Sequence, residues 1–173
     1  MNHKFNTFLS LFALAAASNS ALAQEDLYQT LVFEGGAQSA ELIRGDAEEA
    51  VAQLTGKFPE GRSIFSVQNN LCVAYIALKD VEAATKSCDT AVRASRRQLS
   101  VTEVFVSHSW HTRRAIALTN RGVLAALRGQ TEAATADFQK AGRLDSSLSG
   151  PRANLQRLLA KTELAQTVAR HTE

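Results

Sequence analysis

The chain has 173 residues, 45% of them hydrophobic and only 6% aromatic, with 19 Lys and Arg against 17 Asp and Glu. A length inside the roughly 100 to 200 residues of one domain, with charge of both signs, excludes a disordered or collagen-like chain and favours a single helix-rich unit. A formal charge of +2 is too weak for the field that nucleic acids require, so nucleic acid is not expected as a partner.

In chain order, Met1 to Asn6 carries one cation, Lys4, ahead of the apolar run from Phe8 to Ala17, and Ala21 and Ala23 then provide an A-x-A site. The run is about half the ~20 residues of a membrane-spanning helix. It reads as a secretory signal peptide over residues 1–23, cleaved after Ala23. The mature domain, residues 24–169, is expected to lack a membrane span and to reside in the periplasm or be secreted. Its two cysteines, Cys72 and Cys88, form no C-x-x-C, which in an exported chain favours a disulfide over a redox or zinc motif.

Three segments align on a turn followed by a helix: GDAEEAVAQL from Gly45, KDVEAATKSC from Lys79 and GQTEAATADF from Gly129. Their equivalent alanines, Ala50, Ala84 and Ala134, are 34 and 50 residues apart, the second step exceeding the first by 16. That arithmetic predicts a 34-residue unit, at about 31–64, 65–98 and 115–148, with an insertion at about 96–111. Each unit reads as two helices. In the second, Leu71, Ala74, Tyr75 and Leu78 recur at helical spacing before the turn, and Ala84, Cys88 and Ala91 do so after it. Neither helix can bury its stripe alone, so the two fold back antiparallel.

Small residues at Cys72, Ala84, Ala91, Gly122, Ala134 and Ala141 predict close approach of the helix axes. Cys72 and Cys88 each lie eight residues from the turn at Asp80, hence side by side, and a structural disulfide is expected there, with two buried thiols as the alternative. Gly35 and Gly36 each cost about 1 kcal/mol inside a helix, so the first helix of the first unit is expected to be short or irregular. After Asp145, Ser149 as N-cap and Pro151 in the first turn open a capping helix at about 151–165 that bears Leu155, Leu158 and Leu159, with the last residues fraying.

The period and these residues resemble the tetratricopeptide-repeat family, whose unit carries L-G-x-x-Y and then A, F and A. The third unit matches at Gly122, Ala134, Phe138 and Ala141, and the second at Leu71, Tyr75, Ala84 and Ala91; Arg121, Ala125, Cys72 and Cys88 depart from the pattern. The resemblance covers about two thirds of the mature chain. It implies an all-α fold, an α-solenoid of about three antiparallel helix pairs plus the C-terminal cap. It also implies a concave groove lined by first helices, in which a mid-helix asparagine hydrogen-bonds the backbone of a bound peptide. Asn70 and Asn120 stand at that position, with Asn69, Val73 and Val123 beside them, and local structural amides are the alternative reading. Relatives that grip a terminal carboxylate add groove lysines, whereas Ser66, Val73, Ile116 and Val123 occupy the comparable neighbourhood here, so a carboxylate clamp is not implied.

The insertion is the least generic stretch. VTEVFV, residues 101–106, alternates and is β-branched, so it is read as extended, while Ser109 could cap a helix from Trp110 to Arg128. His108 and His111 have metal-compatible spacing without an evident third ligand, and Trp110 is either a partner anchor or a plug between units. Arg114, Arg121 and Arg128, seven apart on one helix face, form a candidate basic patch; the alternative is a solvated stripe with carboxylate neighbours such as Glu132 and Asp137. No G-x-G-x-x-G, P-loop, H-E-x-x-H or G-x-S-x-G is present. The expected function is therefore a non-catalytic scaffold, without cofactor, that holds a protein or peptide partner in the groove. A self-associating structural component, a homo-oligomer, is the first alternative, and an enzyme or metal carrier centred on the insertion the second.

Overall fold

A computed structural model of the chain describes residues 28–34, 36, 38–56, 63–96 and 109–171. The signal-peptide segment, the VTEVFV run and His108 lie outside these residues. The described chain is all helical: α1 (Ser39–Arg44), α2 (Ala47–Thr55), α3 (Ile64–Ala77), α4 (Val81–Ala94), α5 (Trp110–Leu127), α6 (Thr131–Leu144) and α7 (Ser149–His171). Adjacent helices pack as pairs, α3 on α4 and α5 on α6, and successive pairs meet through α4 with α5 and α3 with α5, in an α-solenoid-like arrangement. No helix among the described residues is long and apolar enough to cross a membrane.

One turn, used three times, makes the hairpins. Gly45, Lys79 and Gly129 all take left-handed backbone, φ 88°, 60° and 73°. In each, that residue's N–H donates to the carbonyl three back: Gly45 to Leu42, Lys79 to Ile76 and Gly129 to Ala126. The next N–H reaches five back, Asp46 to Glu41 (2.9 Å), Asp80 to Tyr75 (3.0 Å) and Gln130 to Ala125 (2.9 Å). This double closure satisfies the last carbonyls of a helix and reverses the chain. Its recurrence at the intervals found in the sequence shows that the three aligned segments fold alike.

The second helices bury the small residues of the stripe: Ala50, Ala84, Cys88, Ala91, Ala134 and Ala141 are at most 1% exposed. Across the second hairpin, Cys72 and Cys88 form a disulfide with Cα atoms 4.8 Å apart. Gly122 and Phe138 hold the same places in the third, where a Cβ on Gly122 would stand 2.7 Å from the Phe138 ring. A covalent bridge and a ring over a glycine thus fill one kind of space. Gly122→Ala is expected to overpack this contact at a cost of about 1 to 3 kcal/mol, read as a lowered midpoint of thermal unfolding, whereas Gly142→Ala, with open space around its Cβ, should not lower it.

The first helix of the first unit is short, as expected, while residues 28–33 and the last helix differ from their expected form. The first helix of the first unit is a six-residue stub, α1, and residues 28–33, placed by the repeat arithmetic partly within that helix, have no helical turn. The last helix begins at Ser149, not two residues later, and continues to His171, well past the expected 165. Pro151 falls in its first turn, where a missing N–H costs nothing, and residues 160–171 contain neither Gly nor Pro to stop it.

Candidate functional site

The first helices α3 and α5, with α7 beside them, each present one asparagine at the same level. Asn70, Asn120 and Asn154 are all fully buried, as is Asn69. What they hold is the chain's own segment Tyr28–Phe33, running along the groove. Asn154 Oδ1 accepts from Gln29 N–H and its Nδ2 donates to Gln29 C=O, both at 2.8 Å. Asn120 does the same for Leu31, at 2.7 and 2.8 Å. Asn70 accepts from Phe33 N–H at 2.9 Å and donates to its C=O at 3.4 Å.

Each amide therefore acts like a peptide unit of a neighbouring strand, pairing with both polar atoms of one residue. In extended backbone the N–H and C=O of alternate residues point the same way, which is why residues 29, 31 and 33 are the ones taken. Asn69 completes the row: its Nδ2 donates to Leu31 C=O (3.2 Å), and its Oδ1 accepts from Asn120 Nδ2 (3.0 Å). Unpaired, these buried groups would each cost about 1 to 3 kcal/mol.

The side chains of the strap dock between the amides. Tyr28, 8% exposed, stacks on Phe138 with ring centroids 6.4 Å apart and joins a cluster with Val123, Ala126 and Leu158. Phe33, equally buried, meets Phe65 edge-on at 4.9 Å. Leu31 lies over Gly150, where an added Cβ would come within 3.1 Å of it. Burial pushes the Tyr28 phenol above its ordinary value of 10.0, so at neutral pH it remains an uncharged ring. Val73 and Val123, expected in the groove, are buried, Val123 in the cluster with Tyr28, and both border, with Tyr28, Thr30 and Ile76, a cavity of about 540 Å³.

The sequence-predicted arginines do not share one open face. Arg114 is 5% exposed, its Nη1 donating to Val92 C=O at 3.4 Å, and burial together with the charge of Arg96 lowers its pKa. Arg121 forms a two-point pair with Asp137, at 2.7 and 2.8 Å, and reaches Asp89 at 3.3 Å; the hydrogen bond to Asp137 raises its pKa. Arg128 sits at the C-terminal end of α5, near Thr85. The seven-residue spacing places them on one helix, but Arg114 is buried, and Arg121, partly exposed, is paired with Asp137 and Asp89. Trp110 is 49% exposed and lies against His111, ring centroids 3.6 Å apart, rather than plugging the space between units. Ser109 caps α5 as expected, accepting from Thr112 N–H at 3.2 Å.

Asn154 escaped the sequence reading although a signal was there. It stands 34 residues after Asn120, one full period, as Leu158 does after Leu124. α7 is thus equivalent to a further first helix, not only a lid on the stack. No protein-family model matches the chain, and no curated protein or solved structure matches it at a significant level.

Proposed function

We propose that this chain is an exported, non-catalytic binding scaffold of the tetratricopeptide-repeat kind, acting in the periplasm or outside the cell. Its groove would hold an extended segment of a protein partner. The observation that carries this reading is the row of Asn70, Asn120 and Asn154, each making a two-point contact to the backbone of alternate residues. Such contacts read main chain, not side chains, and are the chemistry of strand addition without a sheet. The Cys72–Cys88 disulfide, fully buried, supports an oxidising compartment and stiffens the hairpin that carries Asn70. A preorganised groove loses less freedom on binding.

The test is affinity capture from a cell-envelope extract with the full chain as bait. Asn154→Ala removes one amide at the least enclosed end of the row, where Gln29 is exposed. It is expected to reduce capture of a specific partner several-fold while the bait stays folded. A partner retained equally by Asn154→Ala and by Val123→Glu would bind elsewhere, and the groove reading would be lost. Self-association is the second reading, favoured by the fact that the segment in the groove is the chain's own; sedimentation at several concentrations separates the two, since an adaptor stays monomeric without its partner.

A further inference from the structure

We infer that Tyr28–Phe33 is a tethered stand-in for the partner: the groove accepts in trans an extended segment with large apolar side chains at its first, fourth and sixth positions, and the attached copy keeps the site closed until such a segment displaces it. This rests on the scaffold reading above and adds to it both the chemistry of the partner and the means by which the site is guarded.

The recognition pattern follows from the contacts. Backbone N–H groups are required at the second, fourth and sixth positions, those of Gln29, Leu31 and Phe33, so proline is excluded there. Side chains are selected at the first, by the Phe138 ring; at the fourth, by the close approach that Gly150 allows; and at the sixth, by the Phe65 ring. The second position, held by exposed Gln29, is unselected. The segment runs from α7 through α5 to α3, opposite to the order of the units, so the polarity of an incoming chain is fixed as well.

The tether is equally specific. Phe33 C=O accepts from Gly36 N–H at 3.1 Å, a tight turn into α1. A Cβ on Gly36 would lie 2.8 Å from that carbonyl oxygen and 2.9 Å from the Phe33 ring, so only glycine closes it. The strap is gripped by side-chain amides through its main chain, so none of those bonds depends on its side chains, proline apart. A chemically equivalent segment can therefore take its place residue for residue. What favours the resident copy is attachment: a short tether gives it an effective concentration of about a millimolar, and a free segment sees only the fraction of molecules whose groove is open.

The measurement uses the full chain and a fluorescent synthetic peptide with the sequence of residues 26–36, followed by anisotropy. Leu31→Pro in the protein removes the N–H that Asn120 accepts and loosens the resident strap. It is expected to bind the peptide about 100-fold more tightly than the unaltered chain, by relief of that tethered competition. A peptide bearing Leu31→Pro should not bind. Should the Leu31→Pro protein not fold, Phe33→Ala carries the same comparison with a smaller gain. Equal binding by altered and unaltered chains would overturn the guarding role and leave the scaffold reading standing. No binding by a folded Leu31→Pro or Phe33→Ala chain would overturn the inference and remove the main support of the scaffold reading too. A dimer of the unaltered chain that Leu31→Pro abolishes would assign the groove to a second copy and overturn the foreign partner.

Discussion

Replacing Asn120 by alanine is expected to cost about 2 kcal/mol or more, because it strands two polar groups in the groove at once, each worth roughly 1 to 3 kcal/mol when left unpaired. Leu31 N–H loses its acceptor and Asn69 Oδ1 loses the amide that donates to it, while Leu31 C=O keeps only the longer bond from Asn69 Nδ2. At roughly 2 to 4 °C per kcal/mol for a domain of this size, the unfolding midpoint should fall by about 4 °C or more. The comparison with Asn154→Ala makes the result informative. There the stranded groups belong to Gln29, which is exposed, and water can replace the amide, so a loss of about 1 kcal/mol is expected. Equal losses at the two positions, measured by denaturant unfolding, would show that the row does not bear on the strap as the hydrogen bonds indicate.

A second large effect is expected at Cys72 and Cys88. Closing a loop with a sequence separation of 16 restricts the unfolded chain by about 3 kcal/mol in the chain-entropy model. Both sulfurs are fully buried, so a mild reductant should leave the native protein unchanged, and the bond should open only once denaturant exposes it. The doubly substituted Cys72→Ala, Cys88→Ala chain loses that restriction and leaves a void, and its midpoint should fall by about 6 to 12 °C. Cys72→Gly with Cys88→Phe installs the arrangement of the third unit and should recover part of the loss, since the ring fills what the sulfurs filled. A double alanine variant as stable as the parent would contradict this account.

The all-helical, paired architecture was legible because its determinants are local: left-handed turn positions, small residues at fixed offsets, and stripes at helical spacing. The cysteine pairing was legible for the same reason, since eight residues on either side of a turn define one height in a hairpin. Asn70 and Asn120 could be placed by their position within a repeated helix. The strap could not. Its contacts join residues separated by 37, 89 and 125 positions, and no periodicity encodes such pairings. The repeat arithmetic instead drew Leu31 to Phe33 into a helix, although YQTLVF, residues 28–33, is rich in the aromatic and β-branched side chains that favour extended backbone. The arginines are a mixed case: helical spacing identified a common stripe with carboxylates beside it, Asp137 among them, and Arg121 pairs with Asp137, but the burial of Arg114 depends on tertiary packing.

A stack of repeats ordinarily behaves as a row of nearest neighbours, each able to fray or re-form with little regard for the rest. Residues 29 to 33 break that independence, because one short stretch near the amino end is fastened to α3, α5 and α7 together. Loss of any one helix from its place releases the clasp on the others, so the row should melt as a single cooperative body instead of peeling from its carboxyl end. The clasp also sets an order of events in folding: during synthesis it cannot close until Asn154 has emerged, and its long sequence separation makes it a late step. The earliest described residues of the chain would thus be among the last to find their place.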